Sequence, residues 1–121
     1  MTMVSFKKAE RLSKKKLIQE LFNKGSSFYL HPFKVLFLKS TDSDGNQILI
    51  SVPKSNFKRA VDRNAIKRRI REGYRLNKSA LTSDKKFLIA YIYSAKEILP
   101  SAVIHQKITL SLKKITEKHE G

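Results

Sequence analysis

Lys86-Phe-Leu-Ile-Ala-Tyr-Ile-Tyr93 decides the fold: after the lysine come seven consecutive apolar or aromatic residues without a charge. A strand with one wet face alternates apolar and polar side chains, so an unbroken run reads as a strand covered on both faces and therefore central. Upstream, Thr82-Ser-Asp-Lys85 reads as a break. Downstream, Pro100 and Ser101 open a final helix whose apolar positions Ile104, Ile108, Leu112 and Ile115 recur at helical spacing. Further upstream, Asp62 is a candidate N-cap for a helix from Arg63 to about Asn77, preceded by a basic loop over Lys54 to Val61. Phe33–Ser40 and Gln47–Val52 are β-branched and aromatic runs separated by Asp42-Ser-Asp-Gly-Asn46, a pattern that predicts a hairpin, with Pro53 ending its second strand. Ser13 is placed to cap a helix over Lys14 to Lys24, which carries Leu17, Ile18, Leu21 and Phe22 on one face, and Gly25 reads as its left-handed stop. The resulting order is α-β-β-α-β-α. This is an α/β (α+β sandwich-like) fold with one mixed sheet of three strands, or four if residues 26–31 pair, packed by helices.

A chain of 121 residues, 40% of them apolar, fits a single domain over 1–121 with a core of its own. No apolar run approaches the ~20 residues of a membrane span, and the opening Met1–Lys8 lacks the apolar stretch of a secretory signal, so a cytoplasmic protein is expected. The absence of cysteine excludes disulfides, thiolate metal sites and a cysteine nucleophile.

Charge carries the functional signal. With 26 Lys+Arg against 10 Asp+Glu, the formal net charge is +16, an excess that suits a polyanionic partner. Residues 54–78 hold ten of the bases and two acids. On a helical wheel at ~100° per residue, Ile66, Ile70, Gly73, Tyr74 and Asn77 share an arc that suits the core, whereas Asn64, Lys67, Arg68, Arg71, Arg75 and Lys78 share a second arc without a carboxylate. A solvated helix face usually mixes signs to gain i,i+4 ion pairs. A face of one sign calls for an external anion, and nucleic acid is the expected one.

Over Lys58-Arg-Ala-Val-Asp-Arg-Asn-Ala-Ile-Lys-Arg-Arg-Ile-Arg71 the sequence resembles the signature of the bacterial ribonuclease P protein component, an Arg-Asn-Arg triplet followed after one residue by Lys-Arg and then Arg. Arg63-Asn64, Lys67-Arg68 and Arg71 keep the pattern, and Ala65 stands where the family carries the triplet's second arginine. Arg11-Leu12, Leu21-Phe22, Lys24-Gly25 and Ile50-Ser-Val-Pro-Lys54 match flanking segments in the same order. The resemblance implies a protein subunit of ribonuclease P that binds the catalytic RNA and the 5′ leader of precursor tRNA, promoting endonucleolytic cleavage to the mature tRNA 5′ end. Its fold would include a left-handed βαβ crossover, against the usual right-handed rule. It implies RNA contacts at Lys54, Lys58, Arg59, Arg63, Asn64, Lys67, Arg68, Arg71 and Arg75, and a leader cleft lined by Ile18, Phe22 and either Leu36 or Phe37. Chemistry would lie in Mg²⁺ held mainly by the RNA subunit and the substrate, with no catalytic residue on the protein.

The other constellations read as ordinary structure. His31, His105 and His119 pair with neither each other nor a carboxylate at helical spacing, Asp42 and Asp44 suit an Asx turn, and no serine has a histidine–acid partner. Gly25, Gly45, Gly73 and Gly121 form no phosphate loop. The competing function is a ribosomal or other structural RNA-binding protein. A helix-turn-helix DNA binder is disfavoured by the strands around the basic helix, so neither DNA nor a membrane is an expected partner.

Overall fold

The computed structural model describes residues 11–39, 46–80 and 86–120, with no side-chain description for 80, 119 and 120. The Met1–Lys8 opening, most of the Asp42–Asn46 turn, the Thr82–Lys85 break, Gly121 and the His119 side chain lie outside that description. Within it, the order is α1 (Lys15–Lys24), β1 (Ser26–Leu30), β2 (Phe33–Lys39), β3 (Gln47–Ser51), α2 (Ala60–Asn77), a 3-10 turn (Lys78–Ala80), β4 (Phe87–Tyr93) and α3 (Ser101–Glu120). The four strands form one mixed sheet in the order β1-β2-β4-β3.

The apolar run 87–93 is an inner strand, buried on both faces except at half-buried Ile92. It pairs antiparallel with β2 and parallel with β3. This corrects the predicted hairpin: β2 and β3 do not pair, because β4 lies between them. A strand apolar on both faces satisfies its backbone and buries its side chains best with a neighbour on each edge, and that demand outweighs the local turn signal. Asn46 joins the arrangement at its base, its Oδ1 accepting from Phe87 N at 2.8 Å. The fourth strand is realised as Ser26–Leu30 along the β2 edge.

Alternation along the inner strands makes two cores. Phe33, Val35 and Phe37 of β2 and Phe87, Ile89, Tyr91 and Tyr93 of β4 meet Ile66, Ile70 and Tyr74 of α2 and Ile104, Ile108, Leu112 and Ile115 of α3. On the other face Leu36, Leu88 and Ala90 meet Leu12, Leu17 and Leu21, with Ile18, Leu38, Leu49 and Ile92 at the margin. One helix therefore covers one face, and two cover the other.

The helix ends differ from the sequence reading. α1 starts at Lys15 with Lys14 as cap and no side-chain cap bond, so Ser13 sits one position too early to serve the first-turn amides. Gly25 is extended (φ −69°, ψ 152°), not left-handed. Glycine is needed there for space: a Cβ would run into the carbonyl oxygen of Leu21 and lie 3.2 Å from that of Phe37. α2 starts at Ala60, so Asp62 falls inside the first turn instead of capping it, where its charge complements the helix dipole. The last two residues of the expected basic loop thus belong to the helix.

Candidate nucleic-acid interface

α2 presents its cations in three settings. Lys67 and Arg71 lean toward the β3 edge, where they line a notch of about 180 Å³ with Arg11, Leu12 and Ile48–Ile50. Leu12 N donates to Ile48 O at 2.9 Å, which brings Arg11 to that edge. Arg11 matched a family segment in the sequence without being recognised as part of the cationic surface, because the bridge that positions it spans more than thirty residues. Facing solvent, Asn64, Arg68 and Arg71 enclose a groove of about 490 Å³ with Val61 and Ala65. The small Ala65 side chain leaves this hollow open where the family signature has an arginine. Toward α3, Arg68 and Arg69 share a groove of about 380 Å³ with Glu72, Ser101 and His105.

The cations do not all remain available. Arg63 Nη1 donates to Phe57 O at 2.7 Å and Lys58 O at 2.9 Å, fastening the loop to the first turns of α2. Arg63 therefore orients Lys58 and Arg59, both exposed, before it contacts anything else. Arg75 Nη2 lies 2.7 Å from Glu72 Oε2, which corrects the expectation of an arc untouched by carboxylate. That hydrogen bond from Arg75, opposed in part by desolvation, holds the Glu72 carboxyl below its ordinary range. Arg69 Nη1 donates to Leu99 O at 2.6 Å and ties α2 to the segment before α3. Lys54, Asn64 and Arg68 are exposed, and Lys67 and Arg71 half-buried.

A second surface lies beside α1. Ile18 is half-buried against the α1-face core, and Phe22, four residues on, is 48% exposed. The strand register fixes which of Leu36 and Phe37 shares the α1 face. Leu36 stands opposite Ser27 and Ala90 on the α1 face, whereas Phe37 points into the α2–α3 core against Phe28, with ring centroids 5.8 Å apart. Phe37 thus faces away from α1, and Leu36, only 7% exposed, is packed beneath α1 with Leu17 and Leu21. Sequence reasoning missed Tyr29 and Lys34, paired across β1 and β2 and both exposed on this face. Their signal was strand parity, which becomes readable only after β1 is recognised as a strand.

Among the described residues no three His, Asp or Glu side chains gather where they could hold a metal ion. Among them also, no helix is long and apolar enough to cross a membrane.

Fold and surface define an α/β domain whose mixed sheet carries α1 on one face and α2 with α3 on the other, with the cations of α2 turned to solvent and to the β3 edge. The Ribonuclease P family model matches residues 6–116. The chain belongs to the ribonuclease P protein family. It is similar to the ribonuclease P protein component of Porphyromonas gingivalis, 40% identical over 76 residues that cover 61% of this chain and 56% of that one. The match thus spans little more than half of that relative. The counterpart from Citrifermentans bemidjiense is 40% identical over 83 residues, covering 69% of this chain and 70% of its own. The solved RNase P protein of Thermotoga maritima superposes with a TM-score of 0.73 at 30% identity, covering 87% of this chain and 96% of that chain. The Staphylococcus aureus RNase P protein gives 0.72 at 30% identity, covering 89% and 96%.

Proposed function

We propose that this chain is the protein subunit of the ribonucleoprotein endonuclease ribonuclease P, holding the catalytic RNA along α2 and the 5′ leader of precursor tRNA beside α1. In this role it promotes the cut that yields the mature tRNA 5′ end, and it acts in the cytoplasm. The observation that carries the reading is the placement of Lys67, Arg68 and Arg71 on exposed or half-buried flanks of α2, with Arg11 joining them across the β3 edge. Phosphates entering these grooves release counterions, which gives affinity without sequence readout. Lys54, Lys58 and Arg59 extend the same field along the preceding loop, and Asn64 offers an uncharged hydrogen-bonding group within it.

The trough beside α1 has the complementary character. Phe22 and Ile18 offer apolar surface to unpaired bases, and base–aromatic stacking tolerates any sequence. The protein then positions and screens. In this reading Mg²⁺ held mainly by the RNA subunit and the substrate would supply the chemistry.

The test is reconstitution. Adding the purified chain to ribonuclease P RNA in low Mg²⁺ is expected to stimulate precursor tRNA cleavage. Binding of that RNA without stimulation would instead favour a structural RNA-binding protein.

A further inference from the structure

Tyr29 is 60% exposed, yet its orientation is fixed. Its hydroxyl lies 3.1 Å from Ser94 Oγ and 3.3 Å from His31 Nδ1. Ser94 is itself anchored on Pro32 O, to which its N donates at 2.8 Å and its Oγ at 2.9 Å. Because the single hydroxyl proton of Ser94 is committed there, the Tyr29 phenol donates to Ser94 Oγ and its lone pairs are left for a proton on His31 Nδ1. The ring is held at its polar end, with the tilted His31 ring 6.4 Å away between centroids, and most of its body stays exposed.

The strand register gives its surroundings. Tyr29 stands opposite Lys34, Lys34 opposite Ile92, and Ile92 opposite Ser51. This row crosses all four strands, a span of about 14 Å at three strand spacings. It lies two residues beyond the row of Ser27, Leu36, Ala90 and Leu49, on the same side as α1. α1 covers Leu36, Leu88 and Ala90, and Ile92 remains half-buried at the margin. The uncovered row carries an aromatic ring, a lysine and an aliphatic side chain, and no carboxylate. Beyond Ser51 the chain continues through Val52 and Pro53 to exposed Lys54, so the row ends at the basic loop.

We propose that Tyr29 is a second base-stacking residue of the trough, taking a nucleotide of the single-stranded leader beyond the one at Phe22, with Lys34 beside it for the phosphate. This rests on the reading of the trough as the leader site. The hydrogen bonds to Ser94 and His31 hold the ring before the RNA arrives, so stacking does not have to freeze a free side chain. A buried role is excluded by the exposure of the ring. The short row without carboxylates suits a nucleotide with its phosphate better than a protein partner of mixed charge.

The experiment uses the chain reconstituted with ribonuclease P RNA, with precursor tRNA and mature tRNA as probes. The chain contains no tryptophan, so Tyr29→Trp supplies a single reporter. Its emission is expected to be quenched by precursor tRNA and left unchanged by mature tRNA. Tyr29→Leu is expected to weaken precursor binding about 5- to 150-fold, the range of one lost stacking contact, with mature tRNA affinity and melting temperature unchanged. Equal emission with the two RNAs, wild-type precursor affinity in Tyr29→Leu, or equal losses for both RNAs would overturn the assignment. Phe22→Ala separates the levels. If it loses leader-dependent affinity while Tyr29→Leu does not, only the Tyr29 assignment fails; if neither variant responds to the leader, the trough reading fails with it.

Discussion

Arg63 and Arg68 stand five residues apart on α2 and have different tasks. Arg63 spends Nη1 on two backbone carbonyls, whereas Arg68 has no hydrogen bond or ion pair among the described residues and borders two grooves. Arg63→Gln is therefore expected to lower folding stability by about 1 kcal/mol, the part-buried Phe57 carbonyl losing its partner while the exposed Lys58 carbonyl turns to water, and Arg68→Gln leaves it unchanged. Thermal melting of the two variants checks this, and equal melting points would show the Arg63 bonds to be dispensable. Phe22 poses a similar choice between packing and binding. A buried phenylalanine cut to alanine loses ~3 to 5 kcal/mol of stability, but Phe22 is half in solvent, so Phe22→Ala should lose far less. Its expected cost is ~1 to 3 kcal/mol of precursor tRNA binding, with mature tRNA affinity unchanged. Single-turnover cleavage at saturating enzyme and high Mg²⁺ should stay near normal. A large fall in melting temperature with equal losses for both RNAs would mark Phe22 as core. Helical spacing made Phe22 legible from sequence alone. The choice between Leu36 and Phe37 was not, because neighbours in a strand face opposite ways and only the pairing with β4 fixes which is which.

α2 and α3 touch closely because residue 73 has no side chain. A Cβ on Gly73 would come within 2.9 Å of both His105 Cδ2 and Ile108 Cδ1, at the centre of the contact that holds the cationic helix to the fold. Gly73→Ala should thus cost roughly 1 to 3 kcal/mol by overpacking, despite alanine's better helix propensity, as measured by denaturant unfolding. A stabilised variant would show that the two helices can separate freely. The outer face of the same helix should behave in the opposite way. Lys67→Gln combined with Arg68→Gln removes charge without touching the core. Folding stability is expected to hold, and the slope of log K against log salt for ribonuclease P RNA to flatten by about 0.7 to 0.9 per lost phosphate contact. Unchanged affinity and slope would remove these residues from the interface. Helices with strong periodicity, such as Ile104–Ile108–Leu112–Ile115, were readable because their signal is local. The hairpin was misread for the same reason. Asp-Gly between two apolar runs speaks for a tight turn, but strand order depends on β4, forty residues away in sequence, entering between them.

A net charge of +16 on 121 residues gives salt two opposite effects on this molecule. Folding brings the bases of residues 54–78 together on α2 and its flanking loop and turn, with Lys67 and Arg71 beside Arg11, where they repel one another more than in the extended chain. Ion pairs do little to offset this: the described residues include Arg75–Glu72 at 2.7 Å and Arg59–Asp62 at 4.0 Å, the latter with an arginine side chain 77% exposed. Exposed pairs of this kind are worth ~0 to 1 kcal/mol each. Raising ionic strength from about 0.01 to 0.1 M shortens the screening length from about 30 to 10 Å, which weakens repulsion between neighbouring helix turns more than it weakens contact pairs. The free chain should therefore melt at higher temperature as salt rises, by about 3 to 6 °C for each kcal/mol of repulsion removed. RNA affinity should fall over the same range as counterion release loses its drive. Differential scanning calorimetry and RNA binding in one salt series test both signs. Melting temperature and affinity falling together would mean that internal ion pairs, not repulsion, dominate the free protein. In that case the cationic face would be part of the fold's own stabilisation instead of a surface held open for RNA.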